Sequence, residues 1–265
     1  GVGMSILEVC HRSKVFGEVI TTAEADIRKL AGVPDDYQVL FLQGGASMQF
    51  SMIPMNLLSE GGTADYILTG SWSKKAMKEA KRVGNVNVAA TTEDTNFNRI
   101  PKQADVKLTP GAAYVHMTGN NTIAGTEWAE PPDVGGAPLV NDASSDIFNG
   151  PLDVSRYAVL YAGAQKNLAP AGVTLVIIRN DMLERSPASL PTMLNYGTHA
   201  EGKSLYNTPP VFSIYVMGLV LKWLLANGGL EARKQANQRK ASKLYAEIDR
   251  SGFYRGTADR ESRSL

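Results

Sequence analysis

The sequence predicts an α/β fold of three layers, in which a central, mostly parallel mixed sheet is covered by helices on both faces. Short apolar runs alternate with segments of helical spacing along most of the 265 residues, and this alternation is typical of parallel strands joined by helical crossovers. A composition of 43% hydrophobic and 20% charged residues is sufficient for one large buried core.

The first third of the chain shows the alternation most clearly. Ser13 precedes a segment with apolar residues on one helical face and is expected to cap that helix. Short β-branched or aromatic runs predict strands between the helical segments. The predicted elements are a helix at 13–30, a strand at 37–42, a helix at 48–58, a strand at 64–68, a helix at 72–83 capped by Ser71, and a strand at 86–90.

Four more strands and two long helices are predicted in the rest of the chain. The strands are expected at 113–117, 137–142, 157–162 and 173–178, and the helices at 210–226 and 230–251. Residues 91–110 and 118–136 are rich in Asn, Thr, Pro or Gly and carry no periodic apolar pattern, so they are predicted to be irregular.

The pattern predicts one domain, residues 1–255, followed by a tail, residues 256–265. The tail GTADRESRSL has no periodic apolar residues and is expected to be flexible, or to be a loop that leads into a further part of the protein. Because the chain opens with Gly1 and enters a structured pattern almost at once, it is interpreted as a fragment of a longer protein or as a natural variant that lacks a C-terminal domain.

The composition argues against several classes of function. A net charge of +1 and the lack of any Lys/Arg-rich run disfavour nucleic-acid binding. The single cysteine, Cys10, cannot form an internal disulfide and is typical of a cytoplasmic protein. The most apolar stretch, residues 211–225, is interrupted by polar and charged residues, so it predicts a core helix and no membrane span. The three histidines lack the spacing of metal ligands, so no metal site is predicted.

Lys166 and Asp142 are the strongest candidates for chemistry. Lys166 lies in a small-residue loop between two apolar strands, and Asp142 ends the strand that precedes them. The carboxyl ends of parallel strands meet at the ligand-binding edge of an open sheet, so the two groups are expected there together. A lysine amine and a carboxylate are what a pyridoxal phosphate (PLP) enzyme needs, one to bind the cofactor covalently and one to keep its ring nitrogen protonated. Taken singly, Lys166 also fits a strand-end lysine reaching water, and Asp142 a helix cap.

Four weaker candidates surround this pair. Residues 44–47 form a Gly-containing strand-to-helix turn, which can bind a phosphate through backbone N–H groups or can simply be a tight turn. Trp72, at another strand-to-helix corner, fits either ring stacking or core packing. Thr122 follows a predicted strand at the same edge. His11 and Arg12 suit an anionic substrate, or a solvated loop end.

Six segments together carry a family resemblance over nearly the whole chain. They are HRSKVF (11–16), FLQGGASMQF (41–50), TGSWSKKA (69–76), VNDASSD (140–146), YAGAQKN (161–167) and SLYNTPPVFSIYVMGLVLKWL (204–224). In this order they resemble the phosphoserine aminotransferases, which are PLP-dependent enzymes of fold type I and class V. The resemblance implies a PLP-binding large domain and amino transfer from glutamate to 3-phosphohydroxypyruvate, a step of serine biosynthesis in the cytoplasm.

The resemblance also implies roles for particular residues. Lys166 would carry PLP as a Schiff base and move the substrate's proton, and Asp142 would hold the ring nitrogen. Further cofactor contacts would come from Trp72 on the ring, from Thr122 on the phenolic oxygen, and from Ala46, Ser47 and Gln165 on the phosphate. Asn207 and Thr208 would reach the phosphate in the neighbouring subunit of a homodimer, and His11 and Arg12 would bind the substrate's anionic groups.

Two departures from the family pattern bear on activity. Ser47 stands where many bacterial relatives have an arginine that helps to hold the substrate phosphate. The family's small C-terminal domain, which carries further substrate-binding arginine and histidine residues, lies outside these 265 residues. The chain on its own is therefore expected to bind cofactor and to turn over little or no substrate. The alternatives are another fold type I aminotransferase such as the alanine–glyoxylate type, a non-catalytic PLP-binding module, and, last, a nucleotide-binding protein.

Overall fold

The computed structural model describes residues 3–265, and these residues form nine strands and seven α-helices. The strands are β1 (Tyr37–Leu42), β2 (Thr63–Leu68), β3 (Asn85–Thr91), β4 (Val115–Thr118), β5 (Asn120–Asn121), β6 (Thr126–Glu127), β7 (Leu139–Asp142), β8 (Val159–Gly163) and β9 (Thr174–Arg179). The helices are α1 (Lys14–Ala31), α2 (Gly45–Leu57), α3 (Ser71–Ala80), α4 (Asn180–Leu183), α5 (Tyr196–Glu201), α6 (Val211–Ala226) and α7 (Gly229–Ser251).

Seven of the strands form one mixed sheet in the order β1-β9-β8-β7-β4-β2-β3. β9 runs antiparallel to both of its neighbours, and the pairs β8–β7, β7–β4, β4–β2 and β2–β3 are parallel. Six strands therefore point the same way and one is reversed. β5 and β6 form a separate antiparallel hairpin.

Alternating side chains of the sheet enter two apolar cores, one on each face. In β8, Leu160 and Ala162 belong to the core shared with α1 and α6, whereas Val159 and Tyr161 belong to the core shared with α2, α3 and α5. Successive strand residues point to opposite faces, so the two groups of helices cover opposite sides of the sheet. This confirms the predicted three-layer α/β/α architecture.

The strand register brings the site-bearing strand ends to one level. Thr118 of β4 pairs with Asp142 of β7, and Asp142 pairs with Tyr161 of β8. Thr174 of β9 pairs with Gly163 on one side and with Leu42 of β1 on the other. The loops that follow β1, β7 and β8 therefore leave from the same edge, and the β1 and β8 ends lie two strand spacings, about 10 Å, apart.

Most predicted elements are confirmed, with differences at their ends. Ser13 caps α1 through a hydrogen bond from the backbone N–H of Phe16 (3.3 Å). The helix predicted at 48–58 begins three residues earlier, because Gly44 adopts φ 88° and allows the chain to turn directly into α2. The prediction that Ser71 caps α3 is wrong: Gly70 is the cap residue, and the hydroxyl of Ser73 accepts hydrogen bonds from the backbone N–H groups of Thr69 and Gly70.

The segment predicted to be irregular at 118–136 contains the β5–β6 hairpin, and the chain end packs against it. Thr126 pairs with Arg263 in an antiparallel bridge, and the backbone N–H of Ser264 donates to the carbonyl of Gly125 (2.9 Å). The Arg263 guanidinium also pairs with Asp249 of α7 (2.6 Å). Residues of the predicted tail thus contact the hairpin and α7 in this structure, and the division into a domain and a tail stays a prediction. The proposed domain 1–255 starts with two residues, 1 and 2, that lie outside the described part.

Helix α6 is less buried than its apolar sequence predicts. Ile214, Met217 and Leu221 are fully buried, but Leu219 and Trp223 are about half exposed on the other side. No single helix among residues 3–265 is long and apolar enough to cross a membrane. Helices α6 and α7 together have the required length and composition, but the chain bends by 87° between them.

Candidate active site

The fold places Lys166 and Asp142 at neighbouring strand ends. Asp142 is the last residue of β7, and Lys166 lies three residues beyond Gly163, the last residue of β8. Ser144 ties the two ends together, since its hydroxyl donates to Asp142 Oδ1 (2.6 Å) and accepts from the backbone N–H of Gly163 (2.9 Å). The sequence prediction that these residues share one edge of the sheet is therefore confirmed by the geometry.

The Lys166 amine is held by two hydroxyl groups. Its Nζ donates to Thr122 Oγ1 (2.7 Å) and to Ser145 Oγ (3.0 Å), and these two hydroxyls also contact each other. Trp72 lies alongside, with its ring centroid 5.4 Å from Lys166 Nζ. Lys166 and Thr122 are exposed to solvent, so the amine is accessible to a ligand that enters from this edge.

Asp142 is a buried carboxylate with one oxygen left for a ligand. Its Oδ1 accepts from the backbone N–H and the hydroxyl of Ser144, whereas Oδ2 accepts no hydrogen bond from residues 3–265. Burial raises the pKa of Asp142, while the Ser144 hydrogen bonds and the positive charge of Lys166 oppose that rise. A cationic N–H donor at Oδ2 would favour the ionised carboxylate further.

Trp72 is positioned by a close approach between two chain segments. It follows Gly70, and a Cβ atom at Gly70 would overlap the side-chain amide of Asn121. That amide donates to the backbone carbonyl of Thr69 and so fixes β5, whose next residue is Thr122, against the corner that carries Trp72. The indole is half-buried, packs partly on the core and has Lys75 Nζ 4.3 Å from its ring centroid, and its role against a cofactor ring stays a prediction.

Ala46 and Ser47 lie in the first turn of α2, where backbone N–H groups have no partner within the helix. Gly44, the residue that caps the helix, has no side chain that could accept from these N–H groups. The first turn is therefore open to an anion. Gln165 lies beside Lys166 with its side chain folded toward Gly163, where an added Cβ would come within 2.9 Å of Gln165 Oε1. The first turn of α2 and the Gln165 loop leave the same sheet edge.

Four predicted residues form no hydrogen bond or ion pair with Lys166 or Asp142 in the described part of the chain. Asn207 and Thr208 lie on the exposed segment before α6, where the side-chain amide of Gln43 donates to the Thr208 carbonyl (2.5 Å). His11 and Arg12 precede α1; His11 is half-buried and Arg12 is exposed. Their roles remain predictions.

Sequence reasoning missed the residues that hold the predicted ones in place. Ser144 and Ser145 were visible only as a small polar turn after Asp142, and Asn121 only as part of an irregular stretch. The spacing Asp-x-Ser-Ser directly after a buried strand was the available signal for Ser144, because a Ser two residues after an Asp readily bonds back to it. Nothing in the sequence placed Ser145 or Asn121 next to their partners.

These residues fit PLP. The buried residue Asp142 offers a carboxylate oxygen with no hydrogen-bond partner among the described residues to a protonated ring nitrogen. The first turn of α2 offers N–H groups to a phosphate, and Lys166 offers an accessible amine. No group of three or more His, Cys, Asp or Glu side chains among residues 3–265 is arranged to hold a metal ion. A sheet of this topology with such a lysine and carboxylate at its edge defines a PLP-dependent enzyme of fold type I.

Comparisons with known proteins agree with this class. The family model "Aminotransferase class-V" matches residues 2–265. A phosphoserine aminotransferase from Desulfosudis oleivorans is 57% identical over 267 aligned residues, which cover 100% of this chain and 73% of that protein. The chain belongs to the class-V aminotransferase family and, within it, to the phosphoserine aminotransferases.

Solved structures of that enzyme superpose closely on the fold. The phosphoserine aminotransferase from Bacillus circulans subsp. alkalophilus has a TM-score of 0.97 and 52% identity, over 99% of this chain and 73% of that one. The PLP-bound phosphoserine aminotransferase from Trichomonas vaginalis has a TM-score of 0.94 and 39% identity, over 99% of this chain and 74% of that one. Other aminotransferases, such as a ureidoglycine–glyoxylate aminotransferase at 16% identity, share the fold alone.

Proposed function

We propose that this chain uses PLP to transfer the amino group of glutamate to 3-phosphohydroxypyruvate, as a step of serine biosynthesis. The observation that supports the chemistry best is the arrangement at the β7 and β8 ends, where an accessible lysine amine lies beside a buried carboxylate with a free oxygen. The choice of substrates is supported by identity above 50% to phosphoserine aminotransferases along the whole chain.

Each residue of the site has a distinct task in this proposal. When bound, PLP supplies an aldehyde for covalent attachment to a lysine and a ring that withdraws electrons from the substrate. Lys166 attaches the cofactor and, once free, moves a proton at its Nζ. Asp142 holds the proton on the ring nitrogen, because a buried carboxylate stabilises an adjacent cation strongly. Trp72 packs against the ring face, and Thr122 orients the phenolic oxygen.

The phosphate and the substrate are assigned to the remaining residues. The backbone N–H groups at Ala46 and Ser47, with the side chain of Gln165, bind the cofactor phosphate, since a helix N-terminus favours anions. His11 and Arg12 bind the anionic groups of the substrate. Ser47 brings no positive charge of its own, so its contribution is limited to hydrogen bonding.

We propose that the functional unit is a homodimer, in which Asn207 and Thr208 reach the neighbouring subunit's cofactor phosphate. Two observations support it: both residues are exposed and, among the described residues, form no hydrogen bond with Lys166 or Asp142, and α6 directly after them has apolar residues on all sides. A helix that is hydrophobic all round is normally covered. Phe212, Leu219 and Trp223 are exposed, and Trp223 has 54% of its surface accessible. Sedimentation as a monomer at micromolar concentration would contradict the dimer.

Absorption spectroscopy tests the assignment of Lys166. We expect the purified chain with PLP to show a visible band that borohydride abolishes, with the added mass on the Lys166 peptide. A Lys166→Ala variant is expected to lose both, because the alanine has no amine to attach the cofactor. Lys78→Ala, at an exposed lysine of α3, is the matched control and should behave as the parent. Covalent label on other lysines, with none on Lys166, would refute the assignment.

Turnover by the 265-residue chain is a separate question. The chain spans 73% of the length of the relatives it matches, and the substrate arginine implied by the family resemblance lies in their C-terminal part. We expect these residues alone to bind cofactor and to transaminate at least about a hundredfold more slowly than full-length relatives, because a lost buried charge contact costs roughly 3 kcal/mol or more. A coupled assay for 2-oxoglutarate measures it, and a normal rate would contradict the expectation.

We also propose a cytoplasmic location, which the lone, exposed Cys10 supports because cytoplasmic proteins rarely depend on disulfides. Fractionation of the source cells that recovers the protein outside the cytoplasm would contradict it.

A further inference from the structure

Ser145 makes a contact for which the proposed function gives no role. Its hydroxyl lies 3.0 Å from Lys166 Nζ and contacts the hydroxyl of Thr122, which itself lies 2.7 Å from Nζ. The reacting amine of the site is thus held by a pair of hydroxyls that come from two different elements, the turn after β7 and the β5–β6 hairpin.

The hydrogen-bonding capacity of the two hydroxyls assigns them different tasks. A hydroxyl donates one hydrogen and accepts up to two. If Thr122 donates its hydrogen to the phenolic oxygen of the cofactor, its contact with Ser145 requires Ser145 to be the donor. Ser145 then still accepts from Lys166 Nζ. In this arrangement both hydroxyls accept from Lys166 Nζ, but Thr122 also serves the cofactor, whereas the only partners of the Ser145 hydroxyl within residues 3–265 are Thr122 and the amine.

The backbone around Ser145 is suited to fixing this position. The preceding residue, Ser144, is buried, and it is bonded to Asp142 and to the backbone N–H of Gly163. The turn is closed by a hydrogen bond from the Ile147 N–H to the Ala143 carbonyl (2.8 Å). Because the same turn carries Ser145 and is anchored to the β8 end, the hydroxyl keeps a fixed relation to the loop of Lys166.

We propose that Ser145 is a positioning residue, whose hydroxyl would orient the Lys166 amine for condensation with the cofactor aldehyde, in which a C=N bond replaces the C=O bond and the oxygen leaves as water, and, when the lysine is free, for moving the substrate's proton. This inference rests on the proposed function. It deepens that function by assigning to Ser145 the orientation of the amine, and it leaves to Thr122 the orientation of the cofactor.

The first test uses the cofactor-free protein. Trace acetylation with acetic anhydride, followed by mass spectrometry, gives the rate of modification of Lys166 relative to the exposed Lys78 of the same molecule. Loss of one hydrogen bond frees the amine, so Ser145→Ala should raise this ratio about three- to tenfold. Ser145→Thr, which keeps a hydroxyl, should restore the parent ratio. Ser155→Ala, in an exposed turn away from the site, is the matched control and should not change it.

The second test measures the cofactor in two forms. Pyridoxine 5′-phosphate has no aldehyde, and its affinity should be the same for Ser145→Ala and the parent, because the proposal assigns the phosphate and the ring nitrogen to other residues. The rate of covalent PLP attachment, followed by stopped-flow absorbance, should fall about tenfold in Ser145→Ala and recover in Ser145→Thr. Faster acetylation together with slower attachment is the combination that a general loss of structure does not produce.

Two results would overturn the proposal. One is an unchanged Lys166 acetylation ratio in Ser145→Ala; the other is an equal loss of pyridoxine 5′-phosphate affinity and attachment rate, which would indicate a structural role. Failure of the parent chain to bind PLP would count against the proposed function, whereas the acetylation test would still decide whether Ser145 holds the amine.

Discussion

Asp146 is a buried carboxyl group next to the site that the proposed chemistry does not use. Its Oδ1 is shielded from solvent and accepts no hydrogen bond from residues 3–265. Burial raises its pKa to about 8, and the negative charges of Glu127 and Asp142 add to the rise. The group fits only because residue 119 is a glycine, since a Cβ atom there would overlap Asp146 Oδ2.

The raised pKa makes a prediction for stability against pH. A carboxyl group with a higher pKa in the folded than in the unfolded chain stabilises the fold at low pH, and that contribution is lost as the pH rises from about 4 toward about 8. Asp146→Asn removes the ionisation. The melting temperature of the variant minus that of the parent should therefore increase between pH 5 and pH 9, by at least about 2 °C.

Calorimetry or thermal circular dichroism at matched ionic strength measures this difference. Glu60→Gln, at an exposed glutamate with no ion pair among the described residues, is the control and should show a flat difference. A difference between Asp146→Asn and the parent that is constant across the pH range would show that Asp146 ionises normally.

The corner between β2 and α3 meets the β5–β6 hairpin at Gly70, and this contact assembles two parts of the site. Asn121 bonds to the Thr69 carbonyl across the space that a Gly70 side chain would fill. Trp72 follows on one element and Thr122 on the other. The relative position of the ring and the hydroxyl thus depends on a packing contact between elements, and no local sequence preference decides it.

Gly70→Ala should separate the two elements. The added methyl group overlaps a buried side-chain amide, so we expect a loss of about 1–3 kcal/mol in unfolding free energy and at least a tenfold loss of pyridoxine 5′-phosphate affinity. Denaturant titration and fluorescence titration measure the two effects.

Gly17→Ala offers the matched control for Gly70→Ala. Gly17 lies inside α1, and an added Cβ there meets no atom within 4 Å. That substitution should stabilise the chain slightly, by about 0.5–1 kcal/mol, because alanine favours a helix over glycine. Unchanged affinity in Gly70→Ala would show that the corner does not position the cofactor site.

The packing of one secondary-structure element on another is also what the sequence fails to predict. The sequence predicts both ends of β1 to the residue and the ends of α6 and α7 to within one residue. Long periodic or β-branched segments allow this because their secondary structure depends mainly on local sequence. The β5–β6 hairpin was missed because two-residue strands carry no period. The hairpin also contacts Arg263 and Ser264, more than a hundred residues away, and such contacts leave no local signal in the sequence.

Some residues of the candidate site could be predicted from the sequence and others could not. Lys166 and Asp142 could be predicted because Asp142 ends one apolar strand and Lys166 follows another, and parallel strands bring such ends together. Ser145 could not be predicted as a partner of Lys166, because the contact depends on how two loops turn after their strands. Sequence patterns therefore identify the reacting groups, and the folded chain is needed to identify the groups that orient them.

At the scale of the whole molecule, Gln43 joins two regions that serve different sites in the proposed dimer. It precedes the α2 turn at Ala46 and Ser47, which binds the subunit's own cofactor, and its side chain holds the Thr208 carbonyl (2.5 Å). Ser204, on the same segment, accepts from the backbone N–H of Phe41 (2.9 Å) and fixes it to β1. The segment that carries Asn207 and Thr208 is therefore hydrogen-bonded to its own subunit, while the side chains of these two residues are exposed.

Mixed dimers provide the decisive test of the shared site. One chain carries Lys166→Ala; the other carries Asn207→Ala with Thr208→Ala. In a mixed dimer, one site has both defects and the other has none, because its lysine and its phosphate-binding arm come from different chains. After co-expression with two affinity tags, the mixed dimer should fix about half a PLP per chain with borohydride at a cofactor concentration where neither parent variant fixes any. If each subunit used its own arm, no intact site could form in the mixture, and the mixed dimer would fix none.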